Sequence, residues 1–148
     1  MRIALDSNIL VYVEGVNGVE RKRDAVEIVR RLPQSDIILP VQVLGELFHV
    51  LSRKARWSPE RVKDAVLSWQ DSFSLVETSP AVLLAATDLA VAHHIGIWDA
   101  VILAAAATSG CRLLLSEDLQ DGFTWGGVTV VNPFAMKRHE LLTEALGE

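Results

Sequence analysis

Four acidic side chains in this 148-residue sequence stand where the local pattern leads one to expect something else. Asp6 ends the short apolar run "RIAL". Glu46 interrupts "VQVLGELFHVL", with Val43, Leu47 and Val50 as its nearest helical neighbours. Asp99 is the one acid in "GIWDAVILAAAATSG", and Asp118 follows "RLLL" in the polar stretch "SEDLQDG". Each has an ordinary explanation. Asp6 can cap a helix, Asp99 suits the positive end of a helix dipole, and Asp118 can be one acid of a solvated loop. Together they suggest more. An ionised carboxylate among apolar neighbours is costly unless paired, and clustered carboxylates repel until a proton or a cation joins them. No histidine or cysteine pattern completes such a set; Glu46-x-x-His49 has a di-iron spacing but no second pair. An all-oxygen donor set favours Mg²⁺ or Mn²⁺ over zinc. Such an ion polarises a phosphoryl group and lowers the pKa of bound water, so phosphodiester hydrolysis is the reaction these residue types suit.

Chemistry of that kind needs elements that bring distant acids together. Arg2 to Leu5 reads as a strand ending at Asp6, with Ser7-Asn8 opening a turn of helix. Glu20 to Leu32 reads as a helix closed by Pro33, and Ile37 to Leu39 as a buried strand followed by a helix from Val41 to about Lys54. Ser58-Pro59 and Ser79-Pro80 carry the cap-then-proline signature, opening helices to about Gln70 and to His94 around a weak strand, Phe73 to Glu77. Trp98 to Ser109 is an apolar helix stopped by Gly110; Arg112 to Leu115 and Val128 to Val131 are strands, and Met136 to Leu146 fits an amphipathic tail helix. Short apolar strands alternating with helices imply an α/β fold of three layers, a central parallel sheet flanked by helices. In such sheets function gathers at the carboxyl ends of the strands, where Asp6 and Asp118 fall.

Composition sets the outer bounds. Half the residues are hydrophobic and 22% are charged, which excludes a disordered chain. The apolar runs are interrupted by Glu46, Asp88 and Asp99 and fall short of a membrane span. No basic-then-apolar leader precedes the first strand, and the single cysteine, Cys111, reads as core packing, so the expected location is the cytoplasm. A net charge of -5 argues mildly against a broad nucleic-acid surface, though Arg21, Lys22 and Arg23 form a local basic cluster, read first as a solvated helix end. Trp98 and Trp125 flank site motifs and are candidates for stacking on bases.

In order along the chain, "ALDSNILVY", "LGELFHVL", "WDAVILAAA", "LLSEDLQDG" and the closing "VVNPF" resemble the PIN-domain ribonucleases, and among them the VapC-type toxins of toxin–antitoxin pairs. The resemblance covers Arg2 to Phe134, which sets residues 1–134 as the PIN domain and 135–148 as a tail of the same domain. It implies that Asp6, Glu46, Asp99 and Asp118 form the catalytic quartet, with Asp6, Asp99 and Asp118 as ligands to Mg²⁺ or Mn²⁺. Glu46 is implied to bind a second ion or to orient the attacking water. Asn8 and Ser116 match supporting polar positions that orient carboxylates, and Asp121 is an alternative to Asp118 as the fourth acid. Further implications are a structured RNA substrate (transfer or ribosomal), a homodimer and a cognate antitoxin partner. A PIN-like module that binds RNA or protein without cutting is the alternative. A phospho-acceptor receiver domain fits poorly, because "LDSN" holds a single acid and no lysine lies between Lys63 and Lys137.

Overall fold

The computed structural model describes residues 1–148. β1 (Arg2–Leu5) is followed by α1 (Ser7–Val13), α2 (Val19–Arg31), a 3-10 turn (Gln34–Asp36) and β2 (Ile37–Pro40). α3 (Val41–Arg53), α4 (Pro59–Ser72), β3 (Ser74–Val76), α5 (Pro80–His93) and α6 (Ile97–Thr108) come next. β4 (Cys111–Leu115), β5 (Thr124–Trp125), β6 (Val128–Val131) and α7 (Glu140–Leu146) complete the chain. The six strands form one sheet in the order β3-β2-β1-β4-β6-β5. All neighbours are parallel except β5, which is antiparallel to β6.

The chain builds β1, β2 and β3 outward on one side, then returns through α6 to place β4 on the other side of β1. The β1/β4 boundary is therefore the topological switch point, and the crevice at its carboxyl end is where open α/β sheets take ligands. Register there is explicit: Leu5 pairs with Leu115, and the Asp6 amide donates to the Leu115 carbonyl at 2.9 Å.

The helices follow from their patterns. Ser58 and Ser79 accept from Arg61 N and Val82 N, and a proline opens each helix, as the cap-then-proline reading expects. In α6 every residue from Ala100 to Ala106 is buried, an apolar surround that suits a helix packed against α5 and the sheet together. Gly110, at φ +72°, provides the left-handed residue that ends α6 and turns the chain into β4. Because α6 lies one tight turn before β4, its opposite end, with Trp98 and Asp99, comes back to the carboxyl edge of the sheet. α3 begins directly after β2 and starts at the same edge.

Two details depart from the sequence reading. The sheet is not wholly parallel, since Trp125-Gly126-Gly127-Val128 forms a hairpin that adds the edge strand β5. Both glycines have positive φ (58° and 82°), the conformation tight hairpin turns demand. The tail helix starts at Glu140 rather than Met136. His139 Nδ1 accepts from Leu141 N and caps it there, leaving Met136 fully exposed. Leu142 and Leu146 are buried and join the main core. Leu142→Ala is expected to cost about 2–5 kcal/mol, read as a lowered midpoint in urea unfolding with an unchanged slope. Cys111 is buried in the core as expected, and burial pushes its thiol up to about 11.

Candidate active site

Asp6 is a buried carboxylate, 4% exposed, at the centre of a polar cluster. It caps α1, with Oδ1 accepting from Ser7 N at 2.7 Å. Its other oxygen accepts from the fully buried Ser116 hydroxyl at 2.7 Å and from Asn8 Nδ2 at 3.3 Å. One oxygen thus serves the helix and the other faces the polar cluster. Burial, ahead of every other cause, pushes the carboxyl up to about 6. The Ser116 and Ser7 bonds oppose the rise, while the charges of Glu46 and Asp99 add to it.

Asn8 joins the two halves of the switch point. Its amide nitrogen stands 3.3 Å from Asp6 Oδ2, from Ser116 Oγ and from Asp118 Oδ2. Its amide oxygen accepts from Glu117 N at 3.2 Å, which pins the loop after β4. Ser116 also accepts from Leu119 N. Asp99 lies at the rim, open to solvent rather than buried among its apolar neighbours. Its carboxyl is nevertheless raised, by partial desolvation first and by the Asp118 charge second. Glu46, half-buried, accepts from Gln42 Nε2 at 3.3 Å. Asp6 therefore feels the charges of Glu46 and Asp99, and Asp99 that of Asp118, which brings the four acids to one edge of the sheet. Asp121 does not join them: its carboxylate accepts from the Asn132 amide at 2.8 Å, and its side of the loop faces Lys137 and Arg138.

Gln42, Glu117 and Tyr12, in the site's surroundings, went unremarked in the sequence. Gln42 bridges Glu46 and the Trp98 carbonyl, the latter at 2.9 Å, and so ties α3 to the start of α6. Its i,i+4 relation to Glu46 is the signal that could have found it. Glu117 accepts from the Tyr12 hydroxyl at 2.8 Å and pairs with Arg21 at 2.9 Å. Arg21 also lies 4.4 Å from the centre of the Phe134 ring. Arg21 is thereby committed to holding the acid loop rather than being a solvated helix end. Burial, then the bond to Glu117, raises the Tyr12 hydroxyl above its ordinary range.

The donor set fits a hard divalent cation. It is all oxygen, and its most buried member is an anion that the protein alone stabilises poorly. No three carboxylate, histidine or cysteine side chains meet at metal-ligand separations. Mg²⁺ commonly uses one or two carboxylates and keeps several waters. The Ser116 bond is the largest influence holding the Asp6 carboxyl down. Ser116→Ala is accordingly expected to move it further up and to cost about 1–3 kcal/mol for the bond lost in a buried place. Carboxyl NMR titration and thermal melting read the two effects, and an unchanged titration midpoint contradicts the assignment.

The comparisons with known proteins agree with this fold. The PIN domain family model matches residues 3–121. No curated protein sequence matches the chain. Solved structures do. VapC20 of Mycobacterium tuberculosis, described as a Sarcin-Ricin loop cleaving toxin, shares 16% identity at a TM-score of 0.67, over 78% of this chain and 89% of that one. A toxin-antitoxin complex from Klebsiella pneumoniae shares 19% at 0.68, over 90% and 99%. FitAB bound to an IR36 DNA fragment shares 18% at 0.70, over 93% and 99%. At such identities the likeness speaks for the fold alone. The family model is the stronger finding, because it spans β1 through the loop after β4 and takes in Asp6, Glu46, Asp99 and Asp118: the chain belongs to the PIN domain family.

Proposed function

We propose that this protein is a divalent-metal-dependent endoribonuclease, the toxin of a toxin–antitoxin pair. The observation that carries the reading is the buried Asp6 carboxylate at the switch point, raised by its surroundings and facing the charges of Glu46 and Asp99. Asp6 and Asp99, with Asp118 directly or through water, would hold Mg²⁺ or Mn²⁺. When bound, the ion neutralises the cluster, polarises the phosphoryl oxygen and lowers the pKa of the attacking water. Glu46 orients that water. Asn8 and Ser116 keep Asp6 and Asp118 from turning away, which shortens the search for a reactive geometry. Gln42 holds Glu46 against the start of α6.

The substrate is structured RNA, transfer or ribosomal, cut in the cytoplasm. Regulation is by a cognate antitoxin, and the active species is a homodimer. Several structural neighbours are themselves toxin-antitoxin complexes, which supports a protein partner. No helix is long and apolar enough to cross a membrane.

The test is cleavage of total RNA by purified protein with Mg²⁺ or Mn²⁺, with chelator, and with Asp99→Asn. Cleavage is expected only with the metal and the wild-type acid, with Asp99→Asn down by at least about a hundredfold. Equal activity in the variant, or indifference to chelation, overturns the proposal. Tight RNA binding without any cleavage favours the non-catalytic module.

A further inference from the structure

The edge of the molecule beside the acids is not uniformly polar. Trp98, one residue before Asp99, leaves 61% of its surface exposed. The other tryptophans are accounted for by packing or partial cover. Trp69 is buried, its indole N–H donating to Glu14 and its ring stacked on Phe73. Trp57 lies under the Arg61 guanidinium at 3.6 Å, and Trp125 is half-covered in β5. Trp98 instead forms one wall of a groove of about 680 Å³ between α3 and α6, whose lining includes Ser7, Gln42, Glu46 and His49. The groove and the acid cluster are continuous, since Ser7 follows Asp6 and Glu46 belongs to both.

Chemistry selects the occupant. The groove holds one carboxylate and no lysine or arginine, so it repels a phosphate and admits a neutral planar ring. A ring stacked there places its attached phosphate at the acids, where the proposed cation would meet it. Gln42 spends its amide nitrogen on Glu46 and on the Trp98 carbonyl, leaving its amide oxygen as an acceptor. Ser7 and His49 add further polar groups. The rest of the lining, Val41, Gly45 and Val50 beside the Trp98 ring, is apolar and meets the faces of a base, while Ser7, Gln42 and His49 are left for its edge.

We propose that Trp98 is a stacking platform for an unpaired nucleobase next to the scissile phosphate, with Gln42 and His49 at the base edge. This rests on the ribonuclease reading above and adds to it a residue that positions substrate. Stacking is tolerant of base identity, because every base has a π face. Selectivity then comes from requiring one base out of its helix, which directs the enzyme to loops, bulges and single strands.

The experiment compares wild type, Trp98→Ala and Trp98→Phe by initial fluorescence anisotropy of a labelled r(A)₁₂ dodecamer. A ribose-phosphate chain of the same length without bases is the control. Trp98→Ala is expected to weaken r(A)₁₂ binding about ten- to hundredfold. Trp98→Phe is expected to keep it within about threefold, and the abasic chain to bind wild type and Trp98→Ala alike. In total-RNA cleavage, Trp98→Ala raises KM more than it lowers kcat. Equal r(A)₁₂ affinity in wild type and Trp98→Ala overturns the stacking proposal even if the enzyme cuts RNA. Loss of r(A)₁₂ binding in Trp98→Ala alone, in a protein that cuts nothing, supports the platform and overturns the nuclease reading. Because the ring is mostly in solvent, melting temperatures of the three proteins are expected to coincide, which separates this role from a structural one.

Discussion

Asp6→Asn is expected to lower RNA cleavage by about a thousandfold while leaving the fold intact. Loss of a central metal ligand removes several kcal/mol of transition-state stabilisation, and about 4 kcal/mol corresponds to that factor. The fold survives because asparagine is nearly the same shape, and its amide oxygen can still accept from Ser7 N to cap α1. Where Ser116 and Asn8 now donate to Asp6 Oδ2, the new amide nitrogen accepts from neither, and Ser116 Oγ is already occupied by Asn8 and Leu119, so these bonds are lost at a local cost of about 1–3 kcal/mol. Cleavage is measured on total RNA with Mg²⁺, and folding by circular dichroism and thermal melting. A variant that retains more than a tenth of wild-type activity contradicts the assignment of Asp6 as a ligand. A variant that does not fold is separated from this outcome by its spectrum.

The second large effect is on stability, and its sign is opposite to that of most acids. The Asp6 carboxyl stands at about 6 against an ordinary 3.8. The folded protein therefore holds the Asp6 proton more tightly than the unfolded chain does, and the ionised form costs stability. At pH 7.5, well above the folded value, the full cost of about 3 kcal/mol is present. It is relieved as pH falls, by about half at pH 5, and it is gone below the ordinary carboxyl range. The Asp99 carboxyl is raised too and acts in the same direction. Glu148, lowered by hydrogen bonds to Arg138 and Arg31, acts in the opposite sense, losing its contribution as pH drops through its own lower range. In chelator, the melting temperature is therefore expected to rise by a few degrees between pH 7.5 and pH 5, at roughly 2–4 °C per kcal/mol for a chain of this size.

A divalent cation supplies the same relief without a proton. Mn²⁺ or Mg²⁺ is expected to raise the melting temperature at pH 7.5 and to do so less at pH 5, where protons compete for the ligands. Asp6→Asn is expected to flatten the pH dependence of the melting temperature and to lose most of the cation effect. A wild-type melting curve indifferent both to cation and to this pH change contradicts the picture of a poorly compensated buried anion.

Much of this protein is written locally. The strand before Asp6, the two Ser-Pro helix starts and the apolar helix behind Asp99 are each specified by neighbouring residues. Hydrophobic periodicity, capping and proline geometry act over a few positions. The alternation of those elements is enough to imply a parallel sheet between helices. Glu46 and Asp99 stand out as acids in apolar helices, and Asp6 and Asp118 as acids at and just beyond the ends of apolar strands, where that local logic is broken.

What the chain could not state locally is which side chains share a place. Asp118 and Asp121 look equivalent in "SEDLQDG", three positions apart. Only the return of the chain over β4 and β6 turns one toward Asn8 and the other onto the Asn132 amide. Glu117 looks like one more loop acid, yet it meets Tyr12 and Arg21 from far along the chain. The short hairpin at Gly126-Gly127 and the late start of α7 likewise depend on packing and capping contacts rather than on periodicity. Asp99 was legible as anomalous, but its apolar neighbours suggested a buried charge, and the fold puts it at a solvent-facing rim. The raised Asp6 carboxyl belongs wholly to the tertiary structure. Desolvation and the fields of Glu46 and Asp99 act through space across the switch point, between residues 40 and 93 positions apart, and no local rule reaches that far.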